Sequence, residues 1–168
     1  ADAVKTAECD PAILTGKKYM GALDFAETTD LCSAKAIVLD KNDAKMYSLS
    51  MYFIPEIKAD AILEDDSNKN LNPEKKNYRE WAKQGLVTIC PGSEVDPLAV
   101  AQWFYGLYQQ YGMIPFKIGY DNWHAKDFKR LVGEYFGEEV LEQIRMDYAS
   151  LSGPMRIVES DLKSKKLV

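Results

Sequence analysis

The sequence predicts an α/β domain in which helices pack against a mixed sheet. Three observations predict this class. Three apolar segments of strand length follow one another early in the chain and are separated by short polar turns. A longer segment further on has its apolar residues at helical spacing. That helix leads directly into another apolar strand, and this order fits a crossover onto a parallel strand.

The three early strands indicate an antiparallel meander, because their connections are short. Their predicted bounds are Lys17–Phe25, Leu31–Leu39 and Lys45–Ile54. Turn-forming residues occupy Ala26–Asp30 and Lys41–Asp43, between the strands. Residues Ala1–Gly16 have mixed polarity and no clear period. We therefore expect a leader or linker at 1–16 and one domain at 17–168.

The clearest helix is predicted at Pro97–Tyr111. Asp96 suits the N-cap, Pro97 suits the first helical position and Gly112 is placed to end the helix. Its apolar residues form one broad face. These residues are Val100, Trp103, Phe104, Leu107, Tyr108 and Tyr111. The following strand is predicted at Ile114–Tyr120.

The rest of the chain is less regular. The charged, Asn-rich segment Pro55–Lys76 predicts a long surface excursion. The remaining predictions are a short helix at Asn77–Gln84, a strand at Leu86–Cys90, a helix at Ala125–Phe136, a second segment at Glu138–Tyr148, a loop at Ser150–Pro154 and a helix at Met155–Lys166. Three antiparallel strands, a helix and a parallel strand are the opening of a ribonuclease-H-like α/β fold. Doubly wound nucleotide-binding folds are the competing interpretation.

Composition narrows the classes of function. The 168 residues carry a net charge of -5, which is not typical of a general nucleic-acid binder, although a local basic patch can still act at physiological salt. No apolar run reaches the roughly 20 residues of a membrane span. Cys9, Cys32 and Cys90 match no CxxC spacing, which predicts reduced thiols in a cytosolic protein. The sequence also lacks GxxxxGK[ST], GxGxxG and GxSxG motifs.

With these motifs absent, the candidates for catalytic residues are carboxylates. Asp24 and Asp121 each end an apolar strand, and sites in open α/β sheets gather at the carboxyl ends of strands. If these two strands are neighbours, both carboxylates project into one crevice. Hard oxygen ligands suit Mg²⁺ or Mn²⁺, and two such ions about 3.5–4 Å apart can activate water and stabilise a leaving phosphate oxygen. The alternative is that each Asp is a turn former or a helix cap.

Several neighbours are auxiliary candidates. His124 can assist water activation or contact a phosphate, or it can pack as a partly buried side chain beside Trp123. Glu27 and Asp30 are either further metal ligands or turn residues.

A basic stripe follows Asp121 along the chain. Lys126, Lys129 and Arg130 share one helix face, which suits backbone phosphates or is simply solvated. Lys163, Lys165 and Lys166 extend such a surface or form a frayed basic terminus.

Four blocks of the sequence resemble the C-terminal nuclease domain of tailed-phage terminase large subunits. The blocks are LDFAETTDLCSAKAIV (Leu23–Val38), WAKQGLVTICPGSEVD (Trp81–Asp96), IGYDNWHA (Ile118–Ala125) and YASLSGPMRIVESDLKSKKL (Tyr148–Leu167). They occur in the family's order and cover most of the chain from Lys17 onward. Each block alone has little specificity, but together they are fairly specific.

The resemblance implies a ribonuclease-H-like fold and metal-dependent cutting of concatemeric viral double-stranded DNA in the cytoplasm of a bacterial host. It implies that Asp24 and Asp121 are the first two acidic ligands of a site for two Mg²⁺ or Mn²⁺ ions. The partners it implies are the terminase ATPase domain, the small terminase subunit and the portal, with no membrane.

Two departures from the family pattern matter. The chain lacks the phosphate loop of the ATPase half, so an isolated nuclease domain is expected. The family's third acidic ligand follows the block that ends at Leu167, so we expect a C-terminally truncated domain and leave this ligand unassigned. Asp147, Glu159 and Asp161 are available acids, but none matches the pattern. The alternatives are another ribonuclease-H-like nuclease or recombinase core, and a non-catalytic docking domain of the packaging motor.

Overall fold

The computed structural model describes residues 11–25, 31–40, 45–60, 77–121 and 125–164. Within these ranges six strands form one sheet. The strands are β1 (Lys18–Asp24), β2 (Cys32–Leu39), β3 (Met46–Pro55), β4 (Val87–Cys90), β5 (Ile114–Tyr120) and β6 (Leu141–Gln143). Their order across the sheet is β4-β3-β2-β1-β5-β6.

The sheet is mixed, as the sequence predicts. β1, β2 and β3 form an antiparallel meander. β5 lies parallel to β1, and this pairing confirms the expected crossover. β4 and β6 are added in parallel at the two edges, beside β3 and β5 respectively.

Five helices accompany the sheet in the described residues. They are α1 (Glu56–Asp60), α2 (Tyr78–Lys83), α3 (Pro97–Tyr111), α4 (Lys126–Phe136) and α5 (Tyr148–Lys163). Short 3₁₀ turns occur at Pro11–Leu14 and Glu138–Val140. None of the helices in the described parts of the chain has the length and apolar character needed to cross a bilayer.

The bounds of α3 agree with the prediction because both ends carry strong local signals. The Asp96 carboxylate accepts a hydrogen bond from the Leu98 amide, and Pro97 occupies the first turn. Gly112 ends the helix with a φ of 63°, in the left-handed region that favours glycine. The predicted apolar face needs one correction, because Tyr108 is 45% exposed whereas Ala101 is fully buried.

The main core lies between α3, α4 and one face of the sheet. Side chains of β1 alternate between buried and exposed, so Tyr19, Gly21 and Leu23 point to this core. The Tyr19 ring stacks on Phe104 of α3, with ring centroids 6.3 Å apart. Phe128 of α4 packs beside Phe104. We call this helix-covered face the inner face and the opposite one the outer face.

A smaller cluster covers the outer face at the β3–β4 end of the sheet. It consists of Ile54, Ala59, Tyr78 and Val87, contributed by β3, α1, α2 and β4. Arg79 of α2 bonds Asp60 at 2.7 Å and thereby ties α2 to α1. Helices therefore lie on both faces of the sheet.

Two predicted surface segments contribute to the packed fold. Leu14, within the expected leader, is fully buried, and the Gly16 amide bonds the Tyr111 carbonyl at 2.8 Å. Pro55–Asp60, within the expected surface excursion, completes β3 and forms α1. Residues 61–76 of that excursion lie outside the described residues, as does the turn at Lys41–Asp43.

The predictions after α4 were partly wrong. Leu141–Gln143 form β6 within the segment Glu138–Tyr148, where no strand was expected. The predicted loop at Ser150–Pro154 lies inside α5, which begins at Tyr148 and has Asp147 as its N-cap. α5 buries none of its residues among the described parts of the chain.

Candidate active site

Asp24 and Asp121 lie at the same edge of the sheet. Asp24 is the last residue of β1, and Asp121 directly follows β5. The two strands are parallel neighbours, and Leu23 pairs with Tyr120 in their register. The residues that follow this pair are the two aspartates, so the strand pairing sets them side by side. Their juxtaposition agrees with the crevice that the sequence predicts.

Both aspartates line one cavity of about 330 Å³. Its walls are Ala22, Leu23, Asp24, Ser33, Lys35, Gly119, Tyr120, Asp121, Ile144 and Met146. Asp24 alternates with the buried residues of β1 and therefore belongs to the outer face. Among the described residues, the α1–α2 layer covers that face only at the β3–β4 end, away from the cavity.

The negative charge of Asp24 affects the pKa of a buried thiol on β2. Cys32 is fully buried on β2, and its thiol pKa is raised to about 12. Burial is the main cause, and the negative charge of Asp24 adds to it, followed by Cys90. Cys32 and Cys90 are therefore protonated packing residues at neutral pH, consistent with the expectation of reduced thiols.

The donor set at this cavity fits a hard divalent cation. Mg²⁺ is commonly held by one or two carboxylates, and waters and substrate phosphate fill its other positions. Asp24 and Asp121 supply two such carboxylates at one cavity. Within the described ranges no group of three or more His, Cys, Asp or Glu residues could hold a metal ion. The auxiliary candidates His124, Glu27 and Asp30 lie outside the described residues.

The predicted basic stripe borders a second cavity. Lys126, Lys129 and Arg130 of α4 line a space of about 600 Å³ together with Tyr120, which also lines the first cavity. The Lys129 ammonium lies 5.6 Å from the centre of the Tyr120 ring. Arg130 forms a 2.7 Å ion pair with Glu134, so its charge is partly neutralised.

The other acids considered for the site lie elsewhere. Asp147 caps α5, and hydrogen bonds from Ser150 hold the pKa of this carboxyl below its ordinary value. Glu159 pairs with Lys163 on the same helix, and Asp161 also belongs to α5. None of the three lines the cavity of Asp24 and Asp121. Lys165 and Lys166 lie outside the described residues.

Four residues of the cavity wall were missed by sequence reasoning. Ser33 and Lys35 alternate with buried Cys32, Ala34 and Ala36, and this period-two pattern puts them on the outer face. Their nearness to Asp24 depends on the strand register, which the sequence does not encode locally.

The other two missed residues follow β6. The Ile144 amide bonds the Tyr120 carbonyl at 2.9 Å, which holds Ile144 and Met146 beside the aspartates. Gly119 makes room for this segment, since a Cβ there would lie 3.0 Å from the Ile144 side chain.

The mixed sheet and its helices have the arrangement of a ribonuclease-H-like α/β fold. A solved structure has this fold: the crystal structure of the HK97 bacteriophage large terminase matches 95% of the chain with a TM-score of 0.70 and 14% sequence identity. The fold prediction is therefore confirmed. The chain spans 33% of the length of that terminase.

The family is shown by sequence. The model of the terminase large subunit endonuclease domain matches residues 1–168, so the chain belongs to this family. Among curated proteins no sequence matches the chain. The resemblance inferred from the four sequence blocks is confirmed.

Proposed function

We propose that this chain is a metal-dependent endodeoxyribonuclease domain that cuts concatemeric viral double-stranded DNA during packaging. Membership of the terminase endonuclease family supports the reaction class. The observation that carries the proposal is the parallel register of β1 and β5, which sets Asp24 and Asp121 at one cavity. Two strand-end carboxylates on neighbouring strands repel each other, and a bound cation relieves this repulsion, which favours metal-dependent phosphodiester hydrolysis over a structural role.

In this proposal Asp24 and Asp121 hold Mg²⁺ or Mn²⁺, with two ions at the complete site. When bound, the cations supply Lewis-acid activation of water and stabilise the charge on the leaving oxygen. The two carboxylates bring negative charge to the outer face, where the cavity is open to the DNA backbone. His124, Glu27 and Asp30 are proposed as auxiliary residues because of their place in the sequence.

The DNA backbone is proposed to lie along α4. Lys126 and Lys129 line a second cavity, which shares Tyr120 with the carboxylate cavity. Both lysines are exposed, whereas Arg130 is paired with Glu134. Phosphate contacts of this kind fix the position of the duplex and carry no sequence information. The domain can therefore bind DNA locally although its net charge is -5.

We also propose where the domain works and beside which partners. The matched terminase is about three times as long as this chain, which leaves room for other domains in a protein of that kind. By family membership those neighbours are the ATPase domain, with the small terminase subunit and the portal as further partners. The place of action is the cytoplasm of the bacterial host.

The test is nicking of supercoiled plasmid by the 168-residue chain in Mg²⁺ or Mn²⁺. We expect nicked product from the native chain and none above background from Asp24→Asn or Asp121→Asn. Asp127→Asn is the matched control, because Asp127 is exposed in the first turn of α4 and does not line the carboxylate cavity. Circular dichroism of all variants checks that the fold is retained.

The outcomes separate the alternatives. Metal-dependent cutting that survives in Asp24→Asn would contradict the proposal. Strand-transfer products in place of nicked circles would favour a recombinase core. Calorimetry with Mn²⁺ is the second readout: the absence of both cutting and metal binding would favour a docking domain.

A further inference from the structure

Lys35 lines the same cavity as the two carboxylates. The proposed reaction does not yet use this cation. It lies on β2, which is the antiparallel neighbour of β1. Lys35 pairs with Ala22 and Ser33 pairs with Asp24, so Lys35 and Asp24 are diagonal neighbours across the two strands. Of the described residues that line the cavity, Lys35 alone carries a positive charge.

The sheet holds the Lys35 side chain in place. Its ammonium donates a 3.0 Å hydrogen bond to the Ser50 hydroxyl on β3, and Ser50 is the direct cross-strand partner of Lys35. A lysine ammonium has three N–H donors, so this bond uses only one of them. The bond orients a flexible side chain at the cavity wall and lowers the entropy cost of a further contact.

The cavity therefore presents a cation and two anionic groups to the same ligand. A phosphodiester is an anion, and its charge shifts onto the phosphoryl oxygens and the leaving oxygen during hydrolysis. Lysine binds such oxygens as a compact point charge. Lys126 and Lys129 line the other cavity and belong to α4, so Lys35 is the lysine that lines the cavity of the two carboxylates within the described residues.

We propose that Lys35 contacts a non-bridging oxygen of the scissile phosphate and stabilises it as its charge grows. This inference rests on the proposed nuclease function. The competing explanation is a purely structural lysine, whose bond to Ser50 joins β2 to β3.

The test compares Lys35→Met with Lys35→Arg, Ser50→Ala and Lys18→Met in single-turnover nicking of plasmid DNA. We expect Lys35→Met to lower the cleavage rate constant by about 100-fold, which is typical for the loss of one donor to a developing oxyanion. Lys35→Arg should recover at least a tenth of the native rate because it keeps the charge. Ser50→Ala should reduce the rate less than Lys35→Met, because the cation itself remains.

Lys18→Met is the matched control. Lys18 is exposed on the same face of β1, but it lies at the opposite end of the strand, about 20 Å from Asp24. It should cut at the native rate. A Lys35→Met rate within twofold of the native rate, or equal losses in Lys35→Met and Ser50→Ala, would overturn the inference.

A binding measurement keeps the inference testable if the isolated chain does not cut. Fluorescence anisotropy with a labelled 20-base-pair duplex, over a range of salt concentrations, reports phosphate contacts without chemistry. Lys35→Met should weaken binding and lower the slope of log affinity against log salt by about one, whereas Lys18→Met should change neither. Equal affinities and slopes for the two variants would overturn the role of Lys35, whether or not the native chain is a nuclease.

Discussion

Tyr19 places a phenolic hydroxyl in the main core. Its side chain is 1% exposed, and the hydroxyl has no hydrogen-bond partner within the described residues. Burial also raises the pKa of this hydroxyl well above its ordinary value, so the group remains neutral at any physiological pH. The ring contributes its stack on Phe104, whereas the buried hydroxyl costs stability because its donor is unsatisfied.

Tyr19→Phe should therefore raise the free energy of unfolding by about 1 kcal/mol, since it keeps the ring and removes the unsatisfied group. Urea denaturation followed by fluorescence measures the change. Tyr105→Phe is the control, because this half-buried ring stacks on Tyr135 at the surface of α3 and α4, and it should change stability by less than about 0.5 kcal/mol. A clear loss of stability in Tyr19→Phe would show that the hydroxyl is satisfied.

At the scale of single residues, the sequence predicted that Asp24 and Asp121 lie at one cavity, but it did not predict the residues around them. Asp24 and Asp121 could be found because each ends an apolar strand, which is a local signal. Lys35 could not be placed beside Asp24, because its position depends on the register between β1 and β2. The roles of His124, Glu27 and Asp30 stay predictions, as does the phosphate-binding role of Lys126, Lys129 and Arg130.

At the scale of elements, one position controls how closely β1, β5 and α3 approach each other. A Cβ at Gly21 would lie 2.8 Å from the Ile118 side chain and 3.2 Å from the Phe104 ring. Both neighbours are fully buried, so neither has room to move. Glycine at this position allows the aromatic layer of α3 to pack against the strand that ends in Asp24.

Gly21→Val should lower the free energy of unfolding by about 1–3 kcal/mol through overpacking. Gly106→Ala is the control: Gly106 lies within α3, and a Cβ there meets nothing within 4 Å. Gly106→Ala should be neutral or stabilising by up to about 1 kcal/mol, because alanine has the higher helix propensity. Chemical denaturation measures both variants, and a Gly21→Val protein as stable as the native chain would contradict the packing argument.

Elements with strong end signals were predicted well, and elements without them were not. α3 has an Asp cap, a Pro in its first turn and a terminal Gly, and its predicted bounds agree with the structure. α5 contains Pro154, a residue that normally breaks helices, so the sequence indicated a loop where the helix continues. β6 has only three residues, too few for a period-two pattern to be recognised.

At the scale of the whole molecule, charge must be judged by its distribution. The chain has 26 acidic and 21 basic residues, yet Lys126 and Lys129 border the proposed DNA-binding cavity. Fields from charges elsewhere fade over about 8 Å at physiological salt, so these lysines act locally. DNA affinity should therefore depend on these lysines rather than on net charge.

The double variant Lys126→Gln, Lys129→Gln should bind duplex DNA more weakly and lower the slope of log affinity against log salt by about two. Anisotropy titrations at several salt concentrations measure this slope. Lys83→Gln with Lys58→Gln is the matched control, because both residues belong to the α1–α2 layer, and it should leave the slope unchanged. Equal slopes for the two double variants would place the DNA elsewhere on the surface.

The overall topology could be predicted from the sequence because the meander and the crossover obey general rules of chain connection. The edge strands could not be placed in the same way. β4 and β6 are short, and only their pairing with β3 and β5 shows that the described parts of the chain form a sheet of six strands. The domain start at Lys17 stays a prediction. Leu14, which precedes Lys17, belongs to the core, and residues 1–10 lie outside the described residues.

The parallel pairing of β1 with β5 also limits the order in which the strands can pair while the chain is being synthesised. β1, β2 and β3 are close in the sequence and can pair early during synthesis, but β1 meets β5 only after roughly a hundred further residues have been added. An unfinished chain on the ribosome therefore has Asp24 without Asp121. In the proposed function, a nascent chain cannot cut the DNA around it, and the nuclease becomes competent only when its fold is complete.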